Sequence, residues 1–176
     1  MSTNQAESFR EVLGHFASGL TIITGITDDG PAGFTCQAFS SLSLDPPMIL
    51  VLPSKTSTSW PKIGGAGKFC VNILADHQEQ VSAKFAKSGT DKFAGVTWEP
   101  SPMGQPILDG ACAWIDCRVN AVHHGGDHLI VVGAVEGLAS RPDSRPLLFH
   151  RGRYAHTAES WSDRDAAGRP LLKDHV

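Results

Sequence analysis

Three stretches of this chain carry residue types suited to a flat, phosphate-bearing ligand. The first spans residues 33–47 (GFTCQAFSSLSLDPP), small and hydroxyl-rich between the apolar runs 20–26 and 48–52. Small side chains let backbone N–H and C=O groups approach a flat ring, and hydroxyls add directional hydrogen bonds. A bent polar loop between two strands would look the same, and spacing alone leaves both readings open. The second stretch, 53–60 (PSKTSTSW), sets Lys55 among the hydroxyls of Ser54, Thr56, Ser57, Thr58 and Ser59. Hydroxyls, exposed amides and one ammonium make a phosphate loop, or else a solvated Ser/Thr linker. The third, 123–128 (HHGGDH), offers His123, His124, Asp127 and His128. These types can ligate a metal, but Gly125-Gly126 reads as a turn that sends neighbouring side chains apart. No metal is expected. The alternatives are a plain surface turn, or His128 facing a ligand pocket from the start of a strand.

Other chemistry finds no template. There is no G-x-S-x-G nucleophile motif and no Ser-His-Asp arrangement. Gly64-Gly65-Ala66-Gly67-Lys68 lacks the P-loop glycine spacing and has Phe69 where Ser or Thr is needed, so it reads as a loop before a strand.

The elements that must hold these stretches follow from periodicity. Ser8 and Glu11 form a capping box, and Phe9, Val12, Leu13 and Phe16 recur at helical spacing, with Gly19 as a stop. A strand over 20–26 runs into the turn Asp28-Asp29-Gly30-Pro31, and a strand over 48–52 follows Pro46-Pro47. After the strand 69–74, Asp76 and Glu79 mark a second capping box, opening a helix with Val81 and Phe85 on one face. Residues 98–106 read as a Pro-rich ordered surface loop. Alternation over 112–122 sets Ala113, Ile115, Cys117, Val119 and Ala121 against Trp114, Asp116, Arg118 and Asn120, a half-buried strand. With 128–136 it forms a hairpin around the glycine turn. A last strand is expected at 146–149. Six or seven strands and two helices, without β-α-β alternation, point to a mainly β fold, an antiparallel barrel.

Composition sets limits on partners and class. The 176 residues suffice for one core and one domain, expected over 1–160, with a polar tail at 161–176 that is disordered or packed on a partner subunit. A hydrophobic fraction of 41% and a charged fraction of 19% fit a soluble globular protein. A net charge of -3 without a basic face argues against nucleic acid. No apolar run approaches the roughly 20 residues of a membrane span, and no signal peptide is recognisable, so the expected location is cytoplasmic. Cys36, Cys70, Cys112 and Cys117 lie in apolar or small-residue segments and are expected to be free buried thiols.

Taken in order, several motifs over residues 9–154 resemble the flavin reductase-like family, the small NAD(P)H:flavin oxidoreductases that serve two-component monooxygenases. They are Phe16-Ala17-Ser18-Gly19-Leu20-Thr21-Ile22-Ile23-Thr24, the 33–47 segment, Phe69-Cys70-Val71-Asn72-Ile73-Leu74, Lys84-Phe85-Ala86, Asp91-Lys92-Phe93, Gly126-Asp127-His128, Pro146-Leu147-Leu148-Phe149 and Gly152-Arg153-Tyr154. Within the family, the chain resembles the reductases of actinobacterial steroid-ring degradation. The resemblance implies a split β-barrel homodimer with FMN or FAD near the subunit interface and NADH or NADPH as co-substrate. It implies that Thr35, Cys36, Gln37 and Ala38 line the isoalloxazine, largely through backbone groups. Ser54, Lys55, Ser57 and Ser59 would hold the ribityl chain and phosphate, and Lys84, Phe85 and Lys92 would complete the pocket. His128 would contact the nicotinamide nucleotide, with Phe149, His150, Arg153 and Tyr154 nearby. Gln37 departs from the Asn frequent in the family, which puts a side-chain contact there in question. No side chain is singled out as catalytic, since hydride transfer asks chiefly for stacking and orientation.

The implied function is a reductase that supplies reduced flavin to a flavin-dependent monooxygenase. One competing reading is a non-catalytic flavin-binding or storage module on the same barrel. Another is an oxidase of pyridoxine-type phosphates, which would want several arginines where this chain has Lys55.

Overall fold

The computed structural model describes residues 3–157, so the expected domain boundary near 160 and the tail beyond it lie outside the described residues. In chain order the elements are α1 (Thr3–Gly14), β1 (Ser18–Gly19), β2 (Thr21–Thr27), β3 (Gly30–Cys36), β4 (Phe39–Leu44), β5 (Pro47–Val51), α2 (Trp60–Gly65), β6 (Lys68–Ile73), α3 (Glu79–Ala86), β7 (Trp98–Pro100), β8 (Pro106–Leu108), β9 (Ala113–Gly125), β10 (His128–Ser140), β11 (Leu148–His150) and β12 (Arg153–Ala155).

Seven strands form one antiparallel sheet in the order β3-β2-β6-β9-β10-β5-β4. Its two outermost strands, β3 and β4, are consecutive in the chain and joined only by Gln37 and Ala38. In a flat sheet, six strand spacings of about 4.8 Å would separate those edges by roughly 29 Å. Three Cα steps of about 3.8 Å reach at most roughly 11 Å. The sheet must therefore curl until its edges meet, which is the barrel expected from the strand count. Two backbone hydrogen bonds fix the seam: Phe39 N–H to Gln37 O and Leu52 N–H to Ala38 O, each 3.0 Å.

Period-2 alternation divides the core between the two faces of this curled sheet. Ile23, Phe34, Val51, Phe69, Val71 and Val131 share one cluster, to which α2 contributes Trp60 and Ile63. Ile22, Leu74, Phe85, Leu108 and Leu147 form the other. β2 and β6 are thus buried on both sides, which is why they read as continuous apolar runs. Gly133 on β10 is needed where strands crowd. A Cβ there would stand 2.8 Å from Phe69 Cζ and 3.0 Å from Ile49 Cδ1.

Asn72, fully buried on β6, ties the second cluster together. Its amide donates to Ile22 O (3.3 Å), Thr24 Oγ1 (3.0 Å) and Pro106 O (3.2 Å), and its carbonyl accepts from Leu108 N–H at 2.7 Å.

The structure corrects several local expectations. Helix α1 starts at Thr3 rather than at Ser8 and ends at Gly14, and its apolar stripe is exposed, Phe9 at 59% and Val12 at 69%. The second capping box does not form. Gln78 instead accepts from Ala75 N–H and donates to Asp109 O, both at 2.9 Å, while Asp76 pairs with Arg145 at 3.0 Å. Residues 98–106 fold as the β7–β8 hairpin with Ser101 and Gln105 buried, not as a surface loop. The 64–65 glycines end α2, a short helix begun by Trp60-Pro61 and supported by Ser57 Oγ accepting from Trp60 N–H at 3.1 Å. β9 continues through His123 and His124, leaving only Gly126-Asp127 as the turn. Asp116, assigned by alternation to the polar face, is fully buried because the β7–β8 connection covers it and Met103 N–H donates to its Oδ2 at 3.1 Å.

All four cysteines are free and buried. Burial pushes the Cys36 thiol up from 9.0 to about 11 and Cys117 to about 12. The fold retains these protons more tightly than the unfolded chain, so their contribution is whole below pH 9 and declines as pH climbs through 11. With the Cys36 thiol ionising near 9 unfolded and near 11 folded, the stability lost by pH 11 is about 2 kcal/mol. Urea titrations at pH 7.5 and 11 should show it, with a smaller drop in Cys36→Ala. An equal drop in both proteins would remove Cys36 as a source.

Candidate functional site

The seam of the barrel and the hydroxyl loop meet the tip of the β9–β10 hairpin. Lys55 N–H donates to Asp127 O at 2.9 Å and Lys55 Nζ to Gly126 O at 2.5 Å, while Leu129 N–H donates to Pro53 O at 2.9 Å. Ser54 and His128 form an isolated antiparallel bridge. Two of the stretches singled out in the sequence, 53–60 and 123–128, are therefore stapled side by side.

Beside them lies a cavity of about 620 Å³, walled by the seam (Phe34–Phe39), by Leu52 to Ser54 and Thr56 to Thr58, by Phe85, Ala86, Ser88 and Lys92, by His128, and by Leu13, Phe16 and Ser18. The volume falls within the range of small-molecule and cofactor pockets. Aromatic and aliphatic groups suit the faces of a planar ring, and the 54–58 hydroxyls suit a polyol or phosphate. Ser18 Oγ is sealed from solvent yet has no hydrogen-bond partner among the described residues. A buried hydroxyl left in that condition fits a ligand that supplies the missing bond. By shape and donor set, the residues present fit a flavin.

Individual side chains differ in what they can offer. Thr35 Oγ1 is already committed to Ser82 O (2.7 Å), and Cys36 Sγ to Ala38 O (3.5 Å), so at these positions backbone and shape face the cavity. Ser54 Oγ is shared with Thr56 Oγ1 (2.8 Å) and accepts from Thr56 N–H (3.2 Å), which holds the loop in a tight turn. Lys92 Nζ donates to Gly33 O (3.1 Å) and Ser59 Oγ (3.4 Å). Burial holds the Lys92 ammonium below the ordinary lysine value, so an anion placed beside it would be favoured. Asp127 Oδ1 lies 2.8 Å from His128 Nδ1, and this hydrogen bond keeps the Asp127 carboxyl below its ordinary range. With Nδ1–H donating to Asp127, Nε2 is the free ring nitrogen.

Of the residues expected from sequence, Thr35, Cys36, Gln37, Ala38, Ser54, Ser57, Phe85, Lys92 and His128 line this cavity. Lys55 and Ser59 stand behind the wall, Lys55 on the hairpin turn and Ser59 against Lys92. Lys84 does not line it; its ammonium is engaged by Ala94 O. Phe149, His150, Arg153 and Tyr154 are also outside the wall, on the β11–β12 hairpin where Phe149 and Tyr154 pack edge-on at 5.7 Å. Leu13, Phe16, Ser18, Leu52, Ala86 and Ser88 were missed as wall residues, while Thr56 and Thr58 line it as part of the hydroxyl loop. Helical spacing marked Leu13 and Phe16 only as the apolar stripe of a helix, and nothing in the local sequence marks Ser18 as buried.

The description "Flavin reductase like domain" belongs to a family model that matches residues 13–158. The "Flavin-dependent monooxygenase, reductase subunit HsaB" of Mycobacterium tuberculosis (strain ATCC 25618 / H37Rv) is 53% identical over 149 residues, 84% of this chain and 80% of that one. The crystal structure of nitrilotriacetate monooxygenase component B from Mycobacterium thermoresistibile superposes with a TM-score of 0.85 at 48% identity, covering 93% of this chain and 96% of the other. Streptomyces globisporus C-1027 NADH:FAD oxidoreductase SgcE6, solved in complex with NAD and FAD fragments, gives a TM-score of 0.85 at 29% identity, over 92% and 98% of the two chains. With the match running from the end of α1 to just beyond β12, the chain belongs to the flavin reductase-like family.

Proposed function

We propose that this protein is an NAD(P)H:flavin oxidoreductase that reduces FMN or FAD and releases the reduced flavin to a flavin-dependent monooxygenase. The observation that carries the reading is the convergence of the Gln37–Ala38 seam, the 54–58 hydroxyls, Lys92 and His128 on one cavity that also holds the Ser18 hydroxyl, unpartnered among the described residues. The relatives named as monooxygenase reductase components support the partner class.

A bound flavin supplies the ring that accepts hydride from the reduced nicotinamide. The chain's part is to position and shield. Backbone groups at 35–38 orient the ring edge, and Phe34, Phe39 and Phe85 exclude water from its faces. The hydroxyl loop holds the polyol and phosphate, and Lys92 stabilises negative charge at the pocket wall. His128, fixed through Asp127, orients the nicotinamide nucleotide at the rim. Phe149, His150, Arg153 and Tyr154 are assigned to the outer part of that nucleotide site, Lys55 and Ser59 to the phosphate loop's frame, and Lys84 to the support of the 91–94 segment.

The working form is read as a cytoplasmic homodimer. The exposed stripe Phe9, Val12, Leu13 and Phe16 calls for a covering surface, and four free thiols suit a reducing compartment. Among the described residues, no helix is long and apolar enough to cross a membrane.

The direct test is NADH and NADPH oxidation by the purified chain with and without added FMN or FAD. Turnover that depends on free flavin is expected. Saturable flavin binding without turnover would replace the reading with that of a storage module.

A further inference from the structure

A second cavity, of about 460 Å³, lies on the other side of the last turn of α1 and is lined by Arg10, Glu11, Gly14, His15, Arg151 and Gly152. It collects two guanidiniums and an imidazole against one carboxylate. Among the described residues, neither Arg10 nor Arg151 forms an ion pair.

The backbone at this place is unusual. Arg151 and Gly152 join β11 to β12 with φ of 49° and 75°, and Arg151 is the one non-glycine residue with positive φ among the described residues. A two-residue hairpin turn with positive φ at both positions normally takes Asn-Gly or Asp-Gly. A longer side chain at the first position is strained there. In return the turn aims a guanidinium at α1. Arg151 N–H donates to Gly14 O at 3.0 Å, and Arg151 Nη2 sits 3.0 Å and 2.9 Å from the two ring nitrogens of His15. Two guanidiniums that line one cavity without a carboxylate partner among the described residues, one of them held by a strained turn, point to a site for an anion.

The two cavities flank the same stretch, since Leu13 and Phe16 wall the first while Arg10, Gly14 and His15 wall the second. We propose that Arg10, His15 and Arg151 form a phosphate subsite for the adenosine-phosphate half of a dinucleotide whose reactive ring occupies the main cavity. The inference rests on the reductase reading. Its chemistry is shared by two sources, the adenylate of FAD and that of the nicotinamide dinucleotide.

Adenosine diphosphate is the probe. Titrated into the full chain, it should shift the His15 ring resonances saturably, and Arg151→Gln and Arg10→Gln should each weaken that binding at least tenfold, with Arg151→Lys weakened less. Thermal melts of each variant check folding, and Arg10, on an exposed helix surface, gives a variant free of the strained turn. KM values for FMN, FAD, NADH and NADPH then identify the source. A rise of fivefold or more for FAD assigns the flavin adenylate, and one for NADH or NADPH assigns the nicotinamide dinucleotide. Unshifted His15 resonances, ADP binding equal to wild type in both Gln variants, or no change in any KM would each overturn the subsite. Failure of the wild-type chain to oxidise NADH with added flavin would instead sink the reductase reading, leaving the ADP titration to judge the subsite separately.

Discussion

His128→Ala is expected to lower kcat/KM for the nicotinamide nucleotide by about 100-fold, the scale on which lost orientation slows a positioned reaction. Flavin affinity should change by no more than about twofold, since the same ring makes no phosphate-type contact. The asymmetry follows from placement. His128 opens β10 at the rim of the cavity, half exposed, whereas Phe85, Lys92 and the 35–38 backbone build the interior. Asp127 fixes the imidazole through Nδ1, so Asp127→Asn should move kcat/KM in the same direction but less far. Steady-state rates at saturating flavin, set beside a flavin fluorescence titration, separate the two effects. Parallel losses of flavin and nucleotide affinity would mean that His128 shapes the cavity rather than the hydride donor's pose.

The second large effect is structural. Asn72→Ala should cost about 4 kcal/mol, combining a small cavity with an orphaned Leu108 N–H and lost bonds to Thr24 and Pro106. For a chain of this size that corresponds to a fall in Tm of roughly 10 °C. Chemical denaturation followed by circular dichroism measures it, and a loss under about 1 kcal/mol would show that water or the β7–β8 hairpin rescues the site.

The fold was legible where periodicity was strong. The runs now seen as β2, β5 and β6, and the β9–β10 hairpin, stand out because alternation or continuous apolarity survives in them. What stayed hidden depends on contacts between distant segments. α2 was concealed by its glycines, and its helical state is carried by Trp60 and Ile63 packing inside the barrel. Asp116 looked solvent-facing because alternation cannot show that residues 101–105 cover that face. The site divided the same way. The seam residues, the hydroxyl loop and His128 could be picked out by type. Ser18 and Phe16 reach the cavity only because β1 pairs with β11 and holds the chain after α1 across its mouth.

The two-residue seam has a thermodynamic consequence. Gln37 and Ala38 both close the sheet and line the cavity, so ligand occupancy and barrel closure belong to one linked equilibrium. A ligand present at a hundred times its Kd adds about 2.7 kcal/mol to the closed state. A protein that surrenders its reduced flavin at every turnover gives up that increment each time. The strands buried on both faces, β2 and β6, must then keep the empty barrel shut between one flavin and the next.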